Sequence, residues 1–150
     1  MGEVSLVWGK GPGRVGTVPQ QRQRVFSGAS WEKQVSYCRA VRVGDRIYVS
    51  GTAPVDGQGG VFAPGDAYAQ TRRCFEIMDR ALGDLGSGFP DVVRTRMYVT
   101  DISRWAEFGR AHREFFAEHP PATTMVEVRS LLHPEMLIEV EAEAICGAEA

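Results

Sequence analysis

The chain has 150 residues, of which 43% are hydrophobic and 24% charged, a composition typical of one soluble globular domain. Seventeen Lys and Arg against nineteen Asp and Glu leave a net charge of −2, which does not favour binding to nucleic acid or to an anionic membrane surface. The three cysteines, Cys38, Cys74 and Cys146, form no C-x-x-C pair, which argues against a disulfide framework and a zinc site. No apolar run reaches the length of a membrane span or of a signal-peptide core. We therefore expect a cytoplasmic protein that needs neither a metal nor a cofactor.

The N-terminal segment is rich in glycine and proline, which predicts a flexible extension over residues 1–23 and a folded domain over residues 24–150. A G-x-G-x-x-G pattern lies in this segment, at Gly11, Gly13 and Gly16. No periodic helix follows this pattern, and Pro19 stands where the first turns of such a helix would lie. We interpret the glycines as part of the extension and not as a dinucleotide-binding turn.

The next segment has the pattern of a β-hairpin followed by a long helix. Polar and apolar residues alternate from residue 37 to 43, the pair Gly44 and Asp45 predicts a turn, and a second strand follows over residues 46–50. After a glycine-rich loop, Asp66 is a plausible N-cap for a helix whose apolar residues recur at helical spacing up to Leu85. Gly86 is expected to close this helix.

The second half of the chain repeats the order of strand and helix. Residues 92–100 alternate with period two, which predicts a third strand. Ser103 can cap a second helix whose apolar stripe consists of Trp105, Phe108, His112, Phe115 and Phe116. Two further strands are expected at residues 123–128 and 136–144, and the last of them places Glu139, Glu141 and Glu143 on its polar face.

This order of elements predicts an α+β fold, in which a sheet carries two amphipathic helices packed on one face. The opposite face of the sheet carries aromatic and apolar residues, such as Tyr98 and Leu137, beside its charges. Because such a mixed face is rarely left fully solvated, we expect a second copy of the chain to cover it.

Several segments resemble the RidA/YjgF family in order and in spacing. They are residues 36–44, 47–51, 69–73, 91–101, 121–122, 126–128 and 138–142, and the resemblance extends from about residue 24 to 146. It implies a chorismate-mutase-like fold, assembled as a homotrimer with ligand clefts between neighbouring subunits. The activity that it implies is hydrolysis of reactive enamine and imine intermediates to 2-oxo acids and ammonia.

The same resemblance implies a set of site residues. Glu139 matches the acid that handles the attacking water, Tyr37 matches a cleft tyrosine, and Ser50, Gly51 and Thr52 match the family's strand-end site. In the deaminating members an arginine after Pro-Ala anchors the substrate carboxylate, because a guanidinium binds a carboxylate through two parallel hydrogen bonds.

Two positions of this chain differ from that family pattern. Thr123 replaces the anchoring arginine, and Met125 stands where the family often has cysteine and would narrow the cleft or line it with apolar surface. The replacement at Thr123 predicts weakened hydrolysis of common 2-imino acids. Arg96, which shares the outward face of its strand with Arg94, is a candidate for a substitute cation in the cleft, and an ion pair with a strand glutamate is its other interpretation.

Other residues also have two interpretations. Glu139 is either catalytic or a solvated or arginine-paired carboxylate on a polar strand face. His112 is either a hydrogen-bonded core histidine or a general base. The histidines have no metal-ligand spacing, and no G-x-S-x-G turn occurs.

Two classes of function follow from these observations. The first is a deaminase-type hydrolase with an altered substrate range, acting on an imine or enamine. The second is a non-catalytic trimer that binds or senses a small molecule, such as an organic acid, in the same clefts. A ribonuclease activity, which has been described for some relatives, is disfavoured by the net charge and by the lack of a basic stripe.

Overall fold

The computed structural model describes residues 20–147. In chain order, the helices and strands are β1 (Arg22–Val25), α1 (Ser30–Val35), β2 (Ala40–Val43), β3 (Arg46–Thr52), α2 (Ala67–Asp84), β4 (Val92–Val99), α3 (Trp105–Phe116), β5 (Ala122–Glu127) and β6 (Ile138–Ile145). Two short 3-10 turns precede β4 and α3.

The strands within this range form one six-stranded sheet in the order β1-β2-β3-β6-β4-β5. Neighbouring strands are antiparallel except β4 and β5, which are parallel because α3 connects them as a crossover. The last strand of the chain therefore lies in the middle of the sheet, between β3 and β4. The helices α2 and α3 pack on one face, which confirms the predicted α+β architecture.

The core lies between the sheet and these two helices. In β6 the alternation is complete, because Ile138, Val140, Ala142 and Ala144 are buried in the core while the three glutamates between them point the other way. We call the side of the sheet that carries these glutamates, opposite α2 and α3, the open face.

The helix α2 agrees with the sequence prediction at both ends. The Asp66 carboxylate caps it by accepting a hydrogen bond of 2.9 Å from the backbone N–H of Ala69. Gly86 takes a φ of +73°, as expected for the residue that ends a helix. Within residues 20–147, no helix has the length and apolar character needed to span a membrane.

The first strand and helix are not predicted by the sequence pattern. The strand β1 begins at Arg22, inside the segment expected to be an extension, and it pairs with β2 along its whole length. Its side chains are mostly exposed and polar, so the strand exists through its hydrogen bonds to β2 and not through a buried face. The glycine pattern at residues 11–16 lies outside the described residues.

Two predicted boundaries are wrong. The strand expected from residue 37 begins at Ala40, because Ser36 ends α1 in the left-handed conformation, with a φ of +66°, and the chain turns there. The residue that caps the second helical segment is Asp101, whose carboxylate accepts from the N–H of Ser103. Since a 3-10 turn follows Asp101, Trp105 becomes the first residue of α3 and is 63% exposed instead of buried.

Candidate functional site

Glu139 lies on the open face beside an irregularity in β3. Val49 pairs with Ala142 and Thr52 pairs with Val140, so two residues of β3 stand opposite one residue of β6. This β-bulge places Gly51 directly against the Glu139 carboxylate, and a Cβ at position 51 would collide with Oε1 of Glu139. The bulge therefore makes room for a carboxyl group at the surface of the sheet.

Arg39 lies next to this pair. The residue immediately precedes β2, is only 7% exposed, and donates a hydrogen bond from Nη2 to the backbone carbonyl of Gly51. Its guanidinium carbon is 5.7 Å from the centre of the Tyr37 ring. Within residues 20–147, Nε of Arg39 has no hydrogen-bond partner. A buried cation, a glycine and a carboxyl group thus form one cluster with Tyr37 beside it.

Burial raises the pKa of the half-buried Glu139 carboxyl above its ordinary value. The positive charge of Arg39 opposes this rise, and the negative charge of Glu141 adds to it. A carboxyl group with a raised pKa exchanges protons closer to neutral pH, which is the property needed in a general acid and base.

An open groove of about 670 Å³ lies next to the cluster and is lined in part by Tyr37, Cys38 and Ser50. The Ser50 hydroxyl donates to the carbonyl of Cys38 over 2.8 Å, which ties the bulge to the segment before β2. Thr52 is fully buried, and its hydroxyl donates to the carbonyl of Ser50 over 2.9 Å. In the protomer, Thr52 thus stabilises the bulge from the core side.

Arg96 also lies on the open face, and it is paired. Its Nη1 is 3.1 Å from a carboxylate oxygen of Glu141 and 2.9 Å from one of Glu143. The Tyr98 hydroxyl donates to the same Glu141 oxygen over 3.0 Å. In the protomer, Arg96 therefore forms ion pairs with strand glutamates, which is the second of its two interpretations. The cation near Glu139 is Arg39 and not Arg96.

Comparisons with known proteins agree with this fold. The sequence profile of the Endoribonuclease L-PSP family matches residues 28–146. The crystal structure of a YjgF/YER057c/UK114 family member from Mycobacterium tuberculosis has a TM-score of 0.76 and 44% identity, covering 83% of this chain and 99% of that one. The YjgF gene product of Escherichia coli has a TM-score of 0.66 and 33% identity, covering 73% of this chain and 87% of that one. The chain belongs to the RidA/YjgF family.

Two curated relatives match at similar identity. An uncharacterised protein of Streptomyces coelicolor is 36% identical over 126 residues, covering 84% of this chain and 93% of that protein. The 3-aminoacrylate deaminase RutC of Acinetobacter baylyi is 32% identical over 108 residues, covering 72% of this chain and 85% of that protein. One relative of this RidA/YjgF chain thus carries the name of an enamine deaminase.

Thr123, at the position that the resemblance assigns to the carboxylate anchor, lies on the other side of the sheet from Glu139 in the protomer. Thr123 pairs with Thr95 and Met125 pairs with Met97 across β4 and β5. Since Thr95 and Met97 are buried under the helices, the side chains of Thr123 and Met125 lie on the helix side of the sheet. One protomer therefore does not bring these two residues together with Glu139.

The Thr123 hydroxyl belongs to a polar cluster on that side. It is 2.9 Å from Oγ1 of Thr95 and 3.3 Å from Nε2 of His112, and Thr95 is itself 3.0 Å from the same nitrogen. Burial lowers the pKa of His112, whose ring centre lies 4.6 Å from that of Phe116. These contacts are those of a hydrogen-bonded core histidine.

Sequence reasoning missed Arg39, although the residue lies within a segment that resembles the family. The alternating pattern of a strand does not show whether an arginine on its polar face is buried or exposed to solvent. The only signal available from sequence is that Arg39 follows Tyr37 at a spacing of two, on the face assigned to the cleft.

Proposed function

We propose that this RidA/YjgF protein is a hydrolytic deaminase of enamine or imine intermediates, with a substrate range altered from that of members that carry the Pro-Ala-Arg arginine. The observation that carries this proposal is the Glu139 carboxyl, which is half-buried, has a raised pKa and lies against Gly51 beside a buried cation. The relative named 3-aminoacrylate deaminase supports the same class of reaction, since 3-aminoacrylate is an enamine acid.

Glu139 has two tasks in such a reaction. Its carboxylate takes a proton from water as the water oxygen bonds to the imine carbon, and the π electrons of the C=N bond move to nitrogen. The resulting carboxylic acid then returns the proton to that nitrogen. This gives a neutral carbinolamine. The carboxylate then takes the hydroxyl proton and passes it to the nitrogen as the C–N bond breaks, so that ammonia leaves and the C=O bond of the 2-oxo product forms. An enamine enters this sequence after a proton is added to its carbon and another is lost from its nitrogen, which gives the imine.

The protein works as a homotrimer with clefts between subunits in this proposal. The open face supports assembly because it exposes Tyr48 and Val126, which are 44% and 42% accessible in the protomer. Thr123 and Met125 lie on the edge strand β5. In a cleft between copies, these two residues of one copy can line a site that contains Glu139 of another copy.

A non-catalytic trimer that binds a small organic acid is the second candidate. The observation that favours it is Thr123, whose hydroxyl is engaged with Thr95 and His112 where deaminating members carry an arginine. In that case ligand binding survives and turnover is absent.

The test is the release of 2-oxo acid from imines that an amino-acid oxidase generates in situ. Glu139→Gln is expected to lower kcat/KM by about a hundredfold or more, because general acid–base catalysis contributes factors of this order. The matched control is Glu143→Gln on the same strand and face, since Glu143 contacts Arg96 and not Gly51. Product formation no faster than the uncatalysed rate, or an unchanged rate in Glu139→Gln, contradicts the deaminase proposal. Saturable binding of a 2-oxo acid without turnover supports the second candidate.

A further inference from the structure

Arg39 is a buried charge without a countercharge in contact. Within the part of the chain that the structure describes, no carboxylate lies within 4 Å of its guanidinium, and its Nε has no hydrogen-bond acceptor. A buried guanidinium is normally paired, because an isolated charge loses its hydration without compensation. The position of Arg39 therefore favours the binding of an anion.

The neighbouring acids do not supply that anion. Both carboxylate oxygens of Glu32 are engaged elsewhere, by the N–H and hydroxyl of Ser27 and by the N–H of Gly28. Glu139, the other nearby acid, favours its neutral form more than an ordinary glutamate does. Arg39 thus differs from Arg96, whose charge is matched by two glutamates.

We propose that Arg39 is the residue of this chain that holds the carboxylate of the substrate. This inference rests on the proposed deaminase function. It takes Arg39 as the replacement for the arginine that deaminating members carry at the position of Thr123. The geometry supports it, because Arg39 is hydrogen-bonded to Gly51 and Gly51 lies against Glu139. A carboxylate on Arg39 places the adjacent carbon, which carries the nitrogen in a 2-imino acid, next to the group that handles water.

The first experiment uses the unaltered protein. Binding of pyruvate, which models the 2-oxo acid product, is compared with binding of its neutral analogue pyruvamide by NMR titration. Pyruvate is expected to bind about tenfold more tightly or better, the range for a hydrogen-bonded ion pair. Equal affinity for the two ligands overturns the inference, and this comparison does not depend on any variant being folded.

The second experiment uses Arg39→Gln and Arg39→Lys. Arg39→Gln is expected to lose the preference for pyruvate, and Arg39→Lys is expected to recover part of it, because lysine keeps the charge but not the planar fork. The matched control is Arg80→Gln, which removes an exposed arginine from α2 and is expected to bind as the unaltered protein does. Retention of the full preference in both Arg39 variants overturns the inference.

The two proposals fail in different ways. Binding of pyruvate that depends on Arg39, without turnover of any imine, supports the Arg39 site and contradicts the deaminase function. The ratio of kcat/KM for an imino acid to kcat/KM for the matching imino amide is compared between Arg39→Gln and the unaltered protein. Turnover with an unchanged ratio supports the deaminase function and contradicts the role of Arg39.

Discussion

At the scale of single residues, the site depends on a glycine that leaves space and on a carboxyl group that fills it. Gly51 lies in the bulge of β3, and the Glu139 side chain occupies the volume that a Cβ would need. The environment of Glu139 disfavours its charged form despite the nearby Arg39, since its pKa is raised. Both features lead to predictions that can be measured on single variants.

Gly51→Ala is expected to lower both stability and activity, because the new methyl group displaces the Glu139 carboxyl. Overpacking of this kind typically costs about 1–3 kcal/mol, which urea unfolding would detect. The control is Gly83→Ala in α2, where nothing lies within 4 Å of the added Cβ and where alanine favours the helix. Equal stability of the two variants would show that Gly51 is not needed for space.

Glu139→Gln is expected to stabilise the fold slightly at neutral pH. Because the folded-state pKa is raised, the stability associated with the protonated carboxyl is present below the unfolded pKa and is lost as the pH rises through the folded pKa. Glutamine mimics the protonated form and avoids that loss. The gain is small, roughly a few tenths of a kcal/mol, since partial exposure screens the charge.

Urea unfolding at several pH values checks this sign. The difference between Glu139→Gln and the unaltered protein should appear above the titration of Glu139 and vanish in acid. The raised pKa would be contradicted if Glu139→Gln were less stable than the unaltered protein at neutral pH and equally stable in acid.

At the scale of elements, one buried carboxylate organises the segment between β1 and α1. Glu32 is buried and accepts hydrogen bonds from Ser27 and Gly28, in the turn that enters its own helix. Burial alone raises the pKa of Glu32, but the hydrogen bonds from Ser27 and Gly28 outweigh it, so the pKa is lowered. With only six residues, α1 needs such a tertiary tie because a helix of that length is unstable alone.

Glu32→Gln is expected to destabilise the protein by about 1–3 kcal/mol at neutral pH, as it weakens hydrogen bonds to a buried charged acceptor. The lowered pKa means that this stability is present above the unfolded pKa and is lost as the pH falls through the folded pKa. The difference between the two proteins should therefore shrink in acid. Faster amide exchange confined to β1 and α1 would locate the effect, and Glu76→Gln on the surface of α2 is the control.

At the scale of the whole molecule, the open face is the side of the sheet opposite α2 and α3. Its charges are partly neutralised by the pairs between Arg96 and its two glutamates, and its aromatic residues stand among them. Such a surface suits burial between copies of one chain, since aromatic residues are enriched in such interfaces and the charge of Arg96 already has two partners.

Light scattering coupled to size exclusion is expected to give three times the protomer mass of 16.5 kDa. Tyr48→Asp, which places a charge on the open face, should lower that mass at micromolar concentration. Trp105→Asp is the control, because Trp105 is an aromatic residue that is even more exposed than Tyr48 and lies on α3, not on the open face. A protomer mass for the unaltered protein would contradict both the trimer and a cleft between subunits.

The local pattern of the sequence determined the helices α2 and α3 and four of the six strands in residues 20–147 nearly to their ends. It also determined which face of β6 meets the core. Hydrophobic periodicity acts between neighbouring residues, so it can be read along the chain without knowledge of the fold. The same alternation places Glu139 on the polar face, and the resemblance to the RidA/YjgF family assigns it to the site.

Only the tertiary structure decided which residues surround Glu139. Residues 39, 51 and 139 are far apart in the chain, and they meet because β6 inserts next to the bulge of β3. The burial of Arg39, the pairing of Arg96 and the turn of Thr123 toward His112 depend on neighbours contributed by other strands and helices. A charged residue has the same pattern in sequence whether it faces water or another element, because its environment is set by contacts that are not local.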